Sequence, residues 1–325
     1  MFNLLEKSMN RPSMGMRGDG GGGAGGALVC ANPGTIGFRQ ACYVYPNNPA
    51  TPGLVTPDVV YNRGVDMNIP LTMDDGNVVN MWGFSDLDAA GGGGGMGGGA
   101  TFPSAPMRVQ EGQIVHTNLQ VGMMMAHTIH HHGIEPDWMN DGVGHISFDV
   151  TNQYTYQWRP AHAGTYFYHC HTNTVLHAEM GMYGALIVDP VPDPSDPPGT
   201  QRVFAGGPTY THEAIWAVDE IDSSWHNLPW DAGTCGADVG LNVLNPDYVV
   251  LTGVDASGDT AINGPAVVSP VVSVGDRLLV RYICAGYHPQ HLRLGGLSAE
   301  IVNSDGRPLP QPETVTEIEA VSAER

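Results

Sequence analysis

The sequence predicts an all-β protein made of two β-sandwiches in tandem, the second of them incomplete. From about Val65 onward, short stretches rich in Val, Ile, Tyr and Phe alternate with turns of Gly, Pro, Asn and Asp, which is the spacing of strands in a sandwich or barrel. The proline-rich segment 189–200 cannot form the interior of a strand and is predicted to be a linker. A second β-rich series follows it. We predict that this second sandwich is incomplete, because the sequence stops at IEAVSAER, where another strand should begin. Either the protein is a fragment, or the last strands come from elsewhere.

The predicted strands are apolar stretches with β-branched and aromatic residues, each bounded by turn residues. In the first series they are, in order, VVNMWGF, GQIVHTNLQV, GHISFDV, YTYQWRP, GTYFYHCH and YGALIVDP, and in the second EAIWAVD, DYVVLTGV, AVVSPVVSVGDRLLVRYICAGY and AEIVNSDG. We therefore predict an N-terminal extension at 1–60, a first domain at 61–190 and a second at 191–325, in keeping with roughly 150 residues per domain. The glycine tracts at 18–26 and 91–99 have no side chains to pack and are predicted to be connectors.

The composition narrows the range of partners. Thirteen basic and 33 acidic residues give a net charge of -20, which repels a phosphate backbone, so we expect no nucleic-acid partner. No apolar run approaches the ~20 residues of a membrane span, and we expect none. The first ten residues, MFNLLEKSMN, contain no visible secretion signal.

The five cysteines fit two disulfides and one functional thiol, a pattern that favours an oxidising compartment. Cys30 with Cys42 and Cys235 with Cys284 are the pairings that we expect, and other pairings stay open. A periplasmic or secreted protein is the corresponding expectation for its location.

Seven of the 14 histidines fall in two clusters, HTIHHHG at 127–133 and YHCHTNTVLHAEMGM at 168–182. This density of nitrogen and sulfur ligands predicts a metal site. Because side chains alternate between the two faces of a strand, His169 and His171 point one way and Cys170 the other. His130 and His132 likewise share a face. Two sites follow: one around Cys170 inside the domain, and one formed by four histidines on its outer face.

The inner site combines one thiolate, two imidazoles and a thioether, which is the ligand set of a blue copper centre. We assign Cys170, His127, His177 and an axial Met182 to it. Met180 is the alternative axial ligand.

These motifs closely resemble the multicopper oxidase family of enzymes, whose domains have the cupredoxin-like Greek-key fold. HTIHHH matches the family's H-x-x-H-x-H motif, and YHCH followed by His177 and Met182 matches its second half; RPAHAGTYFYHCH matches the strand leading into it. The resemblance covers the chain from about Val65 to its end. It implies an oxidase that couples one-electron oxidation of a phenolic or metal-ion donor to the reduction of dioxygen to water.

The resemblance also implies a role for each residue. Type 1 copper would be held by His127, Cys170, His177 and Met182, type 2 copper by His130, and type 3 copper by His132, His169 and His171. Asp141, in the Asp-Gly turn after the first motif, resembles the family's proton-supplying acid; an ordinary Asp-Gly turn is the alternative reading. Met123, Met124 and Met125 directly precede His127, and their thioethers could bind a metal-ion donor such as Cu(I), which Glu135, Asp137 and Glu179 could attract. Packing of the methionines in the core is the alternative.

The chain departs from the family pattern at one spacing. Six residues separate Cys170 from His177, more than in the common form and fewer than in the copper nitrite reductases, which the domain also resembles. A nitrite reductase would need one outward histidine per strand, whereas each strand here offers two. A nitrite reductase and a non-catalytic blue-copper electron carrier are the alternative functions.

The type 2/type 3 trinuclear cluster would need eight histidines, and the first domain supplies four. In HPQHLRLGG, at 288–296, Arg293 replaces the third histidine of the motif, so that His291 could complete a type 2 site while His288 could be structural. The remaining ligands would come from another domain or subunit. By the resemblance to two-domain members of the family, we expect a homotrimer with copper at its interfaces.

Overall fold

The structure, a computed structural model, describes residues 55–89, 99–122, 125–144, 149–230, 232–233, 241–257 and 267–325. Its strands are β1 (Val59–Thr72), β2 (Val78–Asp86), β3 (Ser104–Gln110), β4 (Val115–Gln120), β5 (His130–His132), β6 (Gln153–Trp158), β7 (Gly164–His169), β8 (Tyr183–Asp189), β9 (Gln201–Arg202), β10 (Thr209–Tyr210), β11 (His212–Ile221), β12 (Tyr248–Leu251), β13 (Val254–Asp255), β14 (Leu278–Cys284), β15 (Gln290–Arg293), β16 (Ala299–Ser304), β17 (Arg307–Val315) and β18 (Glu317–Ala320). One short α-helix, α1 (Thr174–Glu179), and a 3₁₀ helix (Trp225–Asn227) complete the described elements. The all-β prediction is confirmed.

Two four-stranded sheets form a sandwich in the N-terminal region, residues 55–190. Their strand orders are β2-β1-β4-β6 and β3-β8-β7-β5, with the pairs β1/β4 and β3/β8 parallel. In β6 the aromatic residues Tyr154, Tyr156 and Trp158 are buried while the residues between them are more exposed, as the period of two requires. They pack between the sheets with the inward residues of the other strands. The core of the sandwich also contains Cys170.

The C-terminal region, residues 191–325, contains one four-stranded sheet, β13-β12-β11-β14, and three two-stranded ladders, β9/β10, β15/β18 and β16/β17. Among the described residues it has no second four-stranded sheet, and the incompleteness of the second sandwich stays a prediction. The apolar residues at 267–274, predicted as strand, form none. Pro270 cannot donate a ladder hydrogen bond, and Val271 is 91% exposed.

The two regions pack face to face. Phe167 and Ile187, on the outer face of the β7/β8 pair, contact Ala217 and Ile283 of the β11/β14 pair. Of the linker predicted at 189–200, Asp189 is the last residue of β8, and residues 190–200 form no helix or strand. The outer face of β7, which also carries His169, is therefore partly covered by the C-terminal region.

A partly buried network of ion pairs joins the two regions at the end of β8. The Arg281 side chain is 1% exposed and its Nε lies 2.6 Å from Glu213 Oε1. Arg108 places Nη1 2.6 Å from Glu213 Oε2 and Nε 2.6 Å from Asp189 Oδ2. Glu213 thus contacts two guanidinium groups at once, and Asp189 supplies the second negative charge of the network.

We expect Glu213→Ala to lower the free energy of unfolding by about 3 kcal/mol, because removing one partner of a buried pair leaves an uncompensated charge. Urea unfolding followed by circular dichroism measures this. Glu313→Ala, in exposed β17, is the matched control and should change the free energy of unfolding by less than about 0.5 kcal/mol. Equal effects of the two substitutions would contradict a stabilising role of the network.

No helix in the described part of the chain is long and apolar enough to cross a membrane. Cys284 is a buried free thiol there, and burial raises its pKa to about 12. Its expected partner Cys235 lies outside the described residues, as do Cys30, Cys42 and most of both glycine tracts. The two disulfides therefore stay predictions.

Candidate metal centre

The histidine clusters meet because β5 and β7 are antiparallel neighbours. His130 is paired with His169, and His132 with Phe167, so these four side chains lie on one face of the sheet. His131 points to the other face, where its Nε2 lies 3.0 Å from Thr117 Oγ1 and its ring lies 4.6 Å from that of Trp158. The alternation predicted from the sequence is confirmed for this strand.

The inner group consists of Cys170, His127 and His177, whose ligand atoms lie within 4.8 Å of one another. Cys170 Sγ is 3.7 Å from His127 Nδ1 and 3.2 Å from His177 Nδ1. His127 is positioned by backbone hydrogen bonds in both directions with Val150, and His177 by α1. All three side chains are fully buried.

Burial sets the protonation of this inner group. It lowers the pKa of His127 to about 3 and that of His177 well below the usual value, so that both imidazoles are neutral. It raises the pKa of Cys170 to about 11, and a bound metal ion would have to displace the thiol proton. One soft thiol with two neutral imidazoles, and no carboxylate in the group, fits copper.

Both candidate axial methionines lie beside the inner group. Met182 is fully buried, and its carbonyl oxygen accepts a hydrogen bond of 3.0 Å from the Cys170 amide. Met180 is 3% exposed, and its carbonyl accepts one of 2.6 Å from the Trp82 amide. Both pack in the same core cluster as Cys170. The assignment of Met182 therefore stays a prediction.

The outer group consists of His130, His132 and His169, again with ligand atoms within 4.8 Å of one another. The His171 ring lies next to it, with ring centroids 5.4 Å from His130 and 5.6 Å from His169. The structure thus brings together all four histidines that alternation placed on the outer face. Together they offer imidazole ligands for more than one metal ion.

Neighbouring groups orient three of these four rings. His130 Nδ1 lies 2.6 Å from the Asp141 carbonyl oxygen, and His169 Nδ1 lies 2.8 Å from that of Cys170. An Nδ1–H that donates to a carbonyl leaves Nε2 free to bind metal. His132 stacks on Phe167, with centroids 4.6 Å apart, and its pKa falls to about 3 because of burial and of the positive charge of Arg325.

Asp141 lies at the edge of the outer group. Its carboxylate Oδ1 is 3.4 Å from His130 Nδ1, and its side chain is 28% exposed. The turn that carries it needs glycine at the next position, because Gly142 has φ +71° and a Cβ there would overlap the Ile129 carbonyl oxygen. Asp141 can therefore contact both a ligand histidine and solvent.

The structure places His291 differently from the expected cluster ligand. It lies on β15 with its Nε2 2.6 Å from Glu317 Oε2, it is exposed, and it belongs to neither group of ligand residues found in the described chain. His288 Nδ1 lies 3.5 Å from Glu220 Oε1. Within one chain His291 thus contacts Glu317, and any role in the cluster would be toward another chain.

Three further predictions concern acidic residues and methionines. Glu135 and Asp137 are exposed, as attraction of a cation requires. Glu179 is not: its side chain is 1% exposed and faces His226, so it does not face solvent as a cation attractor would. Met123 and Met124 lie outside the described residues.

Sequence reasoning missed Arg325 as a neighbour of the outer group. Its guanidinium lies 5.7 Å from the centre of the Tyr166 ring and 6.0 Å from that of Phe167, the ring on which His132 stacks. Asp305 holds it at 3.0 Å. No local sequence pattern predicts a contact between Arg325 and the aromatic rings of β7, so only the tertiary structure could identify it.

We expect the metal-free protein to lose stability as pH falls below about 6.5. Histidine in the unfolded chain titrates near 6.5, whereas burial holds the pKa of His127 at about 3. Between these values the unfolded chain binds protons that the folded protein does not, so the free energy of unfolding decreases by up to about 1.4 kcal/mol per pH unit for each such histidine. Urea unfolding at about pH 7.5 and about pH 5.5 measures this change. Equal free energies of unfolding at the two pH values would contradict the conclusion that these histidines are buried and neutral.

Comparison with known proteins agrees with this geometry. Residues 94–193 match the family model described as multicopper oxidase. L-ascorbate oxidase from Cucumis sativus is 38% identical over 112 residues, which are 31% of this chain and 18% of that protein. Copper resistance protein A from Pseudomonas syringae pv. tomato is 25% identical over 250 residues, 68% of this chain and 40% of that protein. The chain thus spans less than half the length of either curated relative.

Solved structures show the same fold. Blue copper oxidase from Nitrosomonas europaea has a TM-score of 0.63 and 25% sequence identity, covering 82% of this chain and 73% of that one. The multicopper oxidase mgLAC has a TM-score of 0.62 and 22% identity, with the same coverage of both chains.

Proposed function

We propose that this chain, which belongs to the multicopper oxidase family, is a copper-dependent oxidoreductase that couples one-electron oxidation of a phenolic or metal-ion donor to the reduction of dioxygen to water. The observation that carries the proposal is the position of Cys170. Its side chain belongs to the inner group, while its two neighbours in sequence, His169 and His171, lie in the outer one. Three consecutive residues therefore join the two groups by covalent bonds alone.

In this proposal the inner residues His127, Cys170, His177 and Met182 hold type 1 copper, His130 holds type 2 copper, and His132, His169 and His171 hold type 3 copper. Bound copper would supply one-electron acceptance at the inner group and dioxygen reduction at the outer one. The buried walls of the inner group exclude water from it. Asp141, within reach of His130 and of solvent, would hold a proton for the oxygen that is reduced.

The four outward histidines at β5 and the end of β7 support an oxidase rather than a nitrite reductase, because a nitrite reductase would use fewer outward ligands. They are half of the ligand set of a trinuclear cluster, and the other half would come from another domain or subunit. His291, on the C-terminal region, is a candidate contributor to a neighbouring copy once released from Glu317. A periplasmic or secreted location would suit copper chemistry of this kind.

Metal analysis of purified, copper-loaded protein, with an optical spectrum and oxygen uptake, tests the proposal. Four copper ions per functional unit, an intense visible band and oxygen consumption with a phenol or with Fe(II) are the expected results. Two copper ions with nitrite turnover would favour a nitrite reductase. A single copper ion without oxygen uptake would favour an electron carrier.

We expect the copper-loaded protein to be a homotrimer, because a head-to-tail contact that closes at three would bring a completing region to each outer group. Multi-angle light scattering measures the mass of the assembly. The three interfaces should also shield His291, which is exposed in the single chain, from solvent. A monomer that retains full oxidase activity would contradict this assembly.

A further inference from the structure

The loop after Cys170 carries His177 on a very short helix. Residues 171–183, here called the ligand loop, contain α1, which is six residues long. A helix of that length is unstable by itself in water, because nucleation costs more than so few hydrogen bonds return. The position of His177 must therefore come from contacts that the ligand loop makes with the rest of the molecule.

The C-terminal region supplies many of these contacts. The side-chain amide (Nδ2) of Asn173, which precedes α1 in a left-handed conformation, donates to the Ala232 carbonyl at 2.7 Å. At either side of His177, hydroxyl groups make two further hydrogen bonds: Tyr287 Oη to the Val175 carbonyl at 2.6 Å, and Tyr183 Oη to Asp219 Oδ2 at 2.8 Å. The C-terminal region, which contributes no residue to the inner group, thus binds both ends of the ligand loop.

Glu179 makes another buried contact of this kind. It is the last residue of α1, two positions after His177. Its Oε1 accepts a hydrogen bond of 2.7 Å from the Asp222 amide and lies 3.7 Å from His226 Nε2. His226 is anchored in turn, since its Nδ1 lies 2.8 Å from the Asn80 carbonyl. The Glu179 and His226 side chains are 1% and 2% exposed.

This contact has consequences for the inner group. Replacing Glu179 with alanine would leave the Asp222 amide without its acceptor in a buried place, which is a costly loss. The end of α1 would then be free to shift, and His177 with it. Glutamine keeps the carbonyl-type acceptor of the side chain without its charge, so it should keep α1 in place.

We propose that Glu179 is a positioning residue that ties α1 to the C-terminal region and so holds His177 against Cys170. The C-terminal region then acts as the clamp of the ligand loop. The contact itself is independent of metal, while its effect on copper rests on the proposed function.

Hydrogen exchange of the metal-free full-length protein tests the clamp directly. In Glu179→Ala, amides of the ligand loop should exchange about 2- to 10-fold faster than in the original protein, the factor expected for one lost hydrogen bond. Glu179→Gln should restore exchange to within about twofold of the original. Unchanged exchange in the alanine variant, or equal acceleration in both variants, would overturn the proposal.

Tyr287→Phe is a milder variant that keeps the test decisive if Glu179→Ala does not fold. It removes only the hydroxyl that binds the Val175 carbonyl. Tyr282→Phe is its matched control, because its hydroxyl binds Gln290 in the same region and not the ligand loop. Faster exchange of the ligand loop in Tyr287→Phe and not in Tyr282→Phe supports the clamp, and equal exchange in the two variants would overturn it.

The optical and electron paramagnetic resonance spectra of copper-loaded protein separate this inference from the proposed function. If the original protein is blue, Glu179→Ala should change the relative intensities of its visible bands and its copper hyperfine splitting, while Glu179→Gln keeps both. A blue original protein with identical spectra in all variants would overturn the positioning role alone. A colourless original protein would overturn the type 1 assignment and leave the clamp to be decided by hydrogen exchange.

Discussion

Cys170→Ser is expected to abolish the blue colour of the copper-loaded protein completely. An intense visible band of a blue copper site arises from charge transfer between a thiolate and Cu(II), and Cys170 is the thiol that lies 3.2 Å and 3.7 Å from two imidazole nitrogens. A serine hydroxyl is close in size and cannot act as this ligand. Optical absorption of protein loaded with equal amounts of copper measures the change.

Cys284→Ser is the matched control for this substitution. Cys284 is also a buried cysteine, but it lies on β14, outside both candidate metal-binding groups of the described residues. Its replacement should leave the visible band unchanged. A band that persists in Cys170→Ser would reject the assignment of the inner group as a type 1 site.

Replacement of His130 or His132 with alanine is expected to leave the blue colour and to remove oxygen reduction. Both side chains lie on the outer face of β5, while the inner group lies on the opposite side of the neighbouring strand β7. Changes to groups that merely support a metal ligand already lower affinity or activity by about 10- to 100-fold, and loss of a ligand should exceed that range.

The measurements are visible absorption, copper content and oxygen uptake on the same preparation. Absorption should be retained, copper content should fall, and oxygen uptake should fall by more than about 100-fold. His162→Ala, an exposed histidine apart from both groups, should change none of the three. Bleaching of the protein by either β5 substitution would show that the division into inner and outer groups is wrong.

Local sequence patterns predicted most of the N-terminal sandwich and the division of its histidines. Strand alternation is a property of a few consecutive residues, so His130 and His132 could be separated from His131, and Cys170 from His169 and His171, without any tertiary information. Apolar runs between turn residues likewise predicted β2, β4, β6, β7 and β8. The same reasoning failed at residues 267–274, where valines suggest a strand but Pro270 interrupts it.

By itself, then, the sequence determined which side chains near Cys170 face inward and which face outward. Tertiary packing decided what surrounds them: Val150 positions His127, Glu317 holds His291 away from the outer group, and the Arg325 guanidinium lies over the aromatic ring behind His132. Tertiary packing also buried Glu179 against His226, whereas the sequence suggested an acid that attracts cations. The physical reason is that burial and pairing of charges depend on residues distant in the chain, whereas the alternation of a strand depends only on its own backbone.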